Sequence, residues 1–439
     1  MSRINAKHGE AFSPIFAKSR AGSKKTTRAS RAEGLALIAS LAGAGAAHAE
    51  LLKFETRADG ANEAVSAIVK IDGISYDIAG TLSKPAKPQG GAKAILIEAQ
   101  SGDDLKALAL QRGLAALTLD LAKLPDKAKE PALRDLVTHI RGALKMKRVL
   151  GSAQGKDADA MAGAAFDGLL LHDASRFPAP PTRVIETWGA DAYWRAVPRA
   201  APVGAEPATK RSFYLAGTAA AVSPDNCAAP VNTRAIAPAM RALLVALDDW
   251  TAKGLVPPPS RAPTAAELAK AGDLKWPKVA GFPAPPDRLN VDKAIDSKNG
   301  ERALSEKRDS TSSQRAPEAA RDVPRIDADG NELSGLRLPD HALPIATFTG
   351  FNARKEKEKE KEKDKVAPDC VAGAAIPFAP DKAAREKSAD PRPSLNERYG
   401  SRAYFVATMR IVANKLVKER LLLPEDADAY VAAAKSAPF

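Results

Sequence analysis

Apolar residues recur along the first half of the chain in short blocks. Ala64-Val65-Ser66-Ala67-Ile68-Val69-Lys70-Ile71 and Ile74-Ser75-Tyr76-Asp77-Ile78 partly alternate with polar positions, the period of a half-buried strand. Asp72-Gly73 stands between them as a hairpin signal. The whole stretch 51–100 reads as strands, ending in the buried run Ala94–Ala99. A helix is expected over Leu105–Arg112, stopped by Gly113, a good residue just past a helix end. Another is expected over 130–144, where Leu133, Leu136, Val137 and Ile140 share one face. Further strands are expected at 114–120, 148–151, 166–172, 183–186 and 211–216. Strands alternating with helices predict an α/β chain with a doubly wound, mostly parallel sheet.

After residue 230 the pattern changes. Met240, Leu243, Leu244, Leu247 and Trp250 line one face of a helix over Pro238–Lys253. Residues 255–340 are rich in proline and polar side chains and show little period, so a long irregular region draping over the body is expected, with parts such as 296–320 disordered. Lys355–Lys365 alternates six lysines with five acids, which nearly cancel and read as a solvated loop or exposed helix. Helices over 394–416 and 425–436 close the chain, the first capped by Ser394 with Glu397 three residues later.

Charge changes the picture mainly at the N-terminus. Of a formal net charge of +13, residues 1–33 carry +6, from eight cations against Glu10 and Glu33. The remainder is spread over some 400 residues and makes no focused basic face, so nucleic acid is not an expected partner. The apolar, uncharged run 35–47 follows the basic segment and ends at Ala47-His48-Ala49. This is the order of a secretory signal peptide cleaved after Ala49; the competing reading is a buried Ala-rich helix of a cytosolic protein. The run is too short to cross ~30 Å of hydrocarbon, so no membrane association is expected after signal removal. Its long basic lead suggests a true start downstream of Met1, and no Arg-Arg pair supports a twin-arginine route. A periplasmic or secreted location follows. The expected divisions are 1–49 signal peptide, 50–254 core, 255–393 irregular wrapping region and 394–439 C-terminal helices. Cys227 and Cys370 are too few for a zinc site; they either pair in an oxidising compartment or remain buried thiols.

Several stretches carry a more specific resemblance. They include Arg211–Thr218, Arg241–Trp250, Pro257–Arg261, Asp327–Glu332, Thr347–Asn352, Ile376-Pro377-Phe378, Asp390–Leu395 and Glu397–Ser401. Over about 211–436 the chain resembles a bacterial alpha/beta hydrolase domain family. The match over 94–194 is weaker, carried by Arg134–Val137, Arg141-Gly142-Ala143 and Phe166-Asp167-Gly168, and 51–93 match poorly. The resemblance implies an α/β-hydrolase-like fold and ester or acyl hydrolysis, with a small ester-like molecule as ligand and no cofactor or metal. That chemistry needs a serine on a sharp strand-to-helix elbow, a histidine, an acid and an oxyanion hole.

The family's elbow motif falls on Gly151-Ser152-Ala153-Gln154-Gly155-Lys156 and puts the nucleophile at Ala153, with Ser152 a residue early. The histidine expected shortly after Ala216-Gly217-Thr218 reads Ala219, Ala220 and Ala221, the family position itself being Ala220. The acid expected before Tyr193-Trp194 reads Ala192, leaving Glu186 and Asp191 as substitutes. His48 would leave with the signal, His139 lies in a helix, His172 ends a strand and reads as a core or loop residue, and His341 lies in the irregular region. The implied protein is a catalytically degenerate relative. A working esterase using Ser152, and a non-catalytic interaction protein, are the alternatives. Both cysteines fall where the family tends to have them, which implies a Cys227–Cys370 disulfide. Asp327–Glu332 resembles a calcium loop but lacks its full ligand spacing and reads as a turn. Gly151-x-x-x-Gly155-Lys156 is one residue short of a phosphate loop and has no Ser/Thr after the lysine.

Overall fold

Three strands open the described chain: β1 (Ala49–Asp59), β2 (Asn62–Ile71) and β3 (Ile74–Ser83), paired antiparallel in sequence order. Asp72 and Gly73 both take positive φ, the turn that matches strand twist. The structure, a computed structural model, describes residues 49–86, 92–99, 105–194, 205–219, 227–280, 282, 322–353 and 372–439. The expected signal peptide up to His48, the 296–320 stretch, the Lys/Glu run, Ala220, Ala221 and Cys370 lie outside the described residues.

β3 pairs antiparallel with β5 (Ala115–Asp120). From there the sheet is parallel through β4 (Ala94–Ala99), β6 (Arg148–Gln154), β7 (Gly168–His172), β8 (Arg183–Gly189) and β9 (Lys210–Leu215), giving nine strands in the order β1-β2-β3-β5-β4-β6-β7-β8-β9. The central strands are apolar on both faces: Ile95, Leu96, Ile97, Leu169, Leu170 and Leu171 are fully buried. Helices cover both faces, as a parallel sheet requires. On one face α2 (Asp126–Ala143) and α3 (Gly155–Met161) pack through Leu133, Leu136, Ile140 and Met161. On the other lie α1 (Lys106–Gln111) and α4 (Ala237–Lys253), contributing Ala109, Leu243 and Leu247. The expected doubly wound, mostly parallel sheet is therefore present, with an antiparallel meander at one end.

The region after α4 is mostly irregular, with the short α5 (Pro339–Ala342) and α6 (Lys382–Lys387). It lies along the outer edge of β9, where Arg261 and Leu336 exchange backbone hydrogen bonds with that strand. These bonds satisfy an edge that would otherwise be open to pairing. The helix expected over 394–416 is two helices, α7 (Leu395–Tyr399) and α8 (Arg402–Lys418). Gly400 at φ +69 ends the first, and the Ser401 hydroxyl accepts from the Tyr404 amide to start the second. Ser394 and Glu397 form the expected capping box. α9 (Pro424–Ala434) completes the chain.

Candidate functional site

In a doubly wound sheet the chemistry belongs at the carboxyl ends of the strands, and three turns there would carry a hydrolase's groups. At the first, β6 runs straight through Ser152 and Ala153 and turns into α3 at Gly155 (φ +57). Ala153 is therefore not at the bend. It pairs with Ala99 and Leu171 inside the sheet and is 1 % exposed in the α2–α3 core. The residue at the bend is a glycine whose Cβ position meets nothing within 4 Å among the described residues. Ser152 pairs with Glu98 and Leu170, is 1 % exposed, and its Oγ has no hydrogen-bond partner among the described residues.

Strand alternation separates the proposed partners. Ser152, Leu170 and Ile185 form one row across β6, β7 and β8; Ala153, Leu171 and Glu186 form the next, on the opposite face. Ser152 and Glu186 thus point to different sides of the sheet. Glu186 takes a hydrogen bond from the Ser212 hydroxyl (3.2 Å) and an ion pair from Lys210 (2.8 Å). Asp191 is buried in the 3-10 turn Ala190–Trp194 that follows β8, with Ala192 beside it. The structure brings Ser152 together with neither carboxylate.

A hydroxyl–imidazole–carboxylate chain does exist nearby. His172 Nδ1 lies 2.9 Å from Thr187 Oγ1, and Nε2 lies 3.5 Å from the Asp173 carboxylate. Thr187, however, is fully buried within β8, and its hydroxyl also faces the Leu171 carbonyl (3.3 Å) and the Met240 sulfur (3.5 Å). A nucleophile enclosed on every side has no approach to an acyl carbon, so this chain reads as a satisfied core contact. His139 packs its ring against Phe54 (4.9 Å).

The third turn follows β9, and it is filled by residues that sequence reasoning did not select. Gly217 (φ +62) donates its N–H to Glu332 (2.7 Å), and the Tyr214 hydroxyl donates to the same carboxylate oxygen. His341 Nε2 lies 2.9 Å from the Glu332 carbonyl. A carbonyl only accepts, so Nε2 carries the proton; the buried Nδ1 has no partner among the described residues. Arg234 donates to the Ala216 carbonyl (2.8 Å) and forks onto Asp340 through Nε (2.8 Å) and Nη2 (2.5 Å). Burial pushes the Glu332 carboxyl up to about 7, against the Tyr214 and Gly217 hydrogen bonds that favour its charge. Burial, and then the Arg234 cation, hold His341 well below the usual histidine range. Burial, and then Glu332, push Tyr214 well up, so it stays a donor.

The same region closes over the neighbouring turn. A Cβ on Gly350 would lie 2.4 Å from Ala190, and one on Gly373 would lie 2.1 Å from the Thr349 carbonyl and 2.8 Å from Ala219. Trp194, Trp276 and Phe351 stack edge to face above it. The carboxyl ends of β8 and β9, where an acid and a base would stand, are thus covered by the chain itself. The Asp327–Glu332 stretch is a turn, the Asp327 carboxylate accepting from the Asp329 and Asn331 amides (2.9 Å each). Among the described residues no group of three or more His, Cys, Asp or Glu side chains is placed to hold a metal ion. Cys227 is buried against Ala372 and Val231. The one signal that would have pointed to the β9 cluster is Glu332 itself, an acid placed directly after a tight Asp-Gly-Asn turn.

Solved structures that the chain resembles share little of it. An esterase from an Arctic intertidal metagenomic library is 12 % identical over 32 % of this chain and 77 % of its own, with a TM-score of 0.24. An alpha-beta serine hydrolase homologue from Coxiella burnetii is 7 % identical over 32 % and 74 %, with a TM-score of 0.22. Lipase A from Candida antarctica is 12 % identical over 28 % and 41 %, with a TM-score of 0.21. No curated protein matches the sequence. The family model described as alpha/beta hydrolase domain matches residues 191–432, more than half of the chain. The match begins at Asp191, beyond the β6–α3 turn, and takes in β9, α4, the Glu332–His341 cluster and most of the C-terminal helices. The chain is a member of the alpha/beta hydrolase domain family.

Proposed function

We propose that this chain is an exported hydrolase-family protein that has kept the fold and lost serine acyl transfer. The observation that carries the reading is the β6–α3 bend. Glycine occupies it, alanine lies in the strand behind it, and the serine preceding that alanine, Ser152, is sealed in the sheet. A methyl group or a hydrogen neither attacks a carbonyl nor exchanges a proton, and acyl transfer needs both acts. The family's histidine position offers no imidazole either, since Thr218 is followed by three alanines, and the imidazole that packs on the β9 turn, His341, is fully buried. What remains is at most a cleft for a small ester-like ligand.

Fluorophosphonate labelling of the purified chain, with turnover of short p-nitrophenyl esters, tests this. Neither label nor turnover is expected. Serine-dependent labelling abolished by Ser152→Ala would overturn the reading in favour of a displaced nucleophile.

Export belongs to the same proposal and rests on the basic, apolar, small-residue order of residues 1–49. It predicts a mature N-terminus at Glu50 in material recovered from outside the cytoplasm. In that setting Cys227 would pair with Cys370 and staple the 255–393 region to the core. Burial of Cys227 supports the pairing. A bridge over so long a loop would contribute about 3–5 kcal/mol. Two thiols titrated in denaturant without reductant would refute it.

A further inference from the structure

At the amino end of the sheet, opposite the edge where a hydrolase works, lies a cavity of about 400 Å³. Its walls come from the residues entering β6, β7 and β8 and from the last turn of α4. Three cations line it, Lys147, Arg148 and Arg183, against one carboxylate, Asp167. That carboxylate is already engaged: the Arg141 guanidinium (2.9 Å) and the Val149 amide (2.7 Å) both donate to it. Arg148 pairs with Asp248, which Arg112 also binds (2.7 Å), and the buried Arg148 Nε has no hydrogen-bond partner among the described residues. Arg183 lies 5.8 Å from the Trp250 ring centroid, and neither it nor Lys147 has a carboxylate partner among the described residues. The nearby acids Asp248 and Asp249 are already matched by Arg112, Arg148 and Lys253.

We propose that this amino-edge cavity binds a phosphate dianion carried on a small apolar group. Lys147 and Arg183, two cations without a carboxylate partner among the described residues, suit a group with double charge and several acceptor oxygens. The guanidinium of Arg183, steadied by the Trp250 face, presents a fixed fork. Phe166 and Pro181 supply the apolar wall that a bare ion would leave unused. The cavity's size falls within the range of small-molecule sites. It shares no residue with the turns at the carboxyl edge, so it does not depend on whether those turns are catalytic.

A plainer role competes for the same cations. The last carbonyls of α4 point toward this end, and cations near a helix C-terminus stabilise it. The two roles separate by titration calorimetry at constant ionic strength, using the full chain with phenyl phosphate, inorganic phosphate and benzoate. The site predicts saturable binding of phenyl phosphate below about 1 mM, tighter than inorganic phosphate and benzoate. Arg183→Gln should weaken it about tenfold or more, and Lys147→Gln less. Lys435→Gln, on an exposed C-terminal cation, should leave it unchanged. No saturation by phenyl phosphate overturns the proposal, as does binding unaltered in Arg183→Gln. So does a lower Tm for Arg183→Gln in a chain whose wild type does not bind, since the cations then serve only the helix.

Discussion

Two glycines make the turns at the carboxyl edge of this sheet, and they do opposite things. Gly155 after β6 and Gly217 after β9 both lie at positive φ, +57 and +62. Around Gly155 a side chain would meet nothing within 4 Å among the described residues; at Gly217 it would lie 2.4 Å from His341 Nδ1 and 3.0 Å from an Arg234 nitrogen. Among the described residues, the first turn packs against nothing. The other is packed with ionisable groups that bond to one another. A left-handed bend standing clear of the sheet is where a hydrolase would display its nucleophile. Among the described residues that bend is bare, and the polar groups sit instead under the turn after β9, three strands away in the sheet.

The largest expected effect is at Gly217. Gly217→Ala places a methyl against a buried imidazole and asks alanine for a left-handed backbone. The cost should be about 3–5 kcal/mol in urea or thermal unfolding, from overpacking and backbone strain together. A cost near 1 kcal/mol would mean that His341 and Arg234 do not press on the β9 turn, and the contrast between the two bends would fail.

Much of the frame beneath these turns was legible in the sequence. The Asp72-Gly73 hairpin, the buried run Ala94–Ala99 and the Ser394–Glu397 cap each depend on residues close together in the chain. The helix over 394–416 was expected as one because its apolar period continues; Gly400-Ser401, a stop followed by a new cap, interrupts it. α3 was missed because its seven residues, Gly155–Met161, are too few to show a period. The Glu332–Tyr214–His341–Arg234 cluster was invisible for a different reason. Glu332 meets Tyr214 across 118 positions, and Arg234 meets Asp340 across 106. The sequence could show that Ala153 and Ala220 lack catalytic groups. It could not show that the bend itself falls at Gly155.

The second effect tests whether the packed turn is held by protonation as described. A carboxyl raised from 4.5 to about 7 in the folded chain keeps a proton that the unfolded chain has released. Stability from Glu332 is therefore full below about 4.5 and falls as pH rises toward about 7, by about 2–3 kcal/mol. His341 works in the other direction. Its imidazole stays neutral when folded, below the ordinary value of 6.5, so its share is full above about 6.5 and is lost as pH falls. The two slopes oppose each other between about 4.5 and 6.5. Chemical denaturation across this window should show Glu332→Gln losing the downward slope and His341→Asn losing the upward one. Parallel curves for both variants and wild type would show that neither group's pKa differs between the folded and the unfolded chain.

The smallest effect belongs to the open turn, and it sharpens the comparison most. Gly155→Ala adds a methyl that touches nothing among the described residues, so packing there contributes no penalty. What remains is the left-handed backbone, which costs a residue with a Cβ about 1 kcal/mol. Part of this is offset because alanine has less freedom to lose than glycine on folding. The expected result is a loss of about 1 kcal/mol or less, with the cooperativity of unfolding unchanged. A loss as large as that of Gly217→Ala would mean that something fills the space beside the β6–α3 bend. An occupied bend would return this turn to consideration as a working site, because a group packed there would stand where a substrate or a catalytic partner meets a hydrolase.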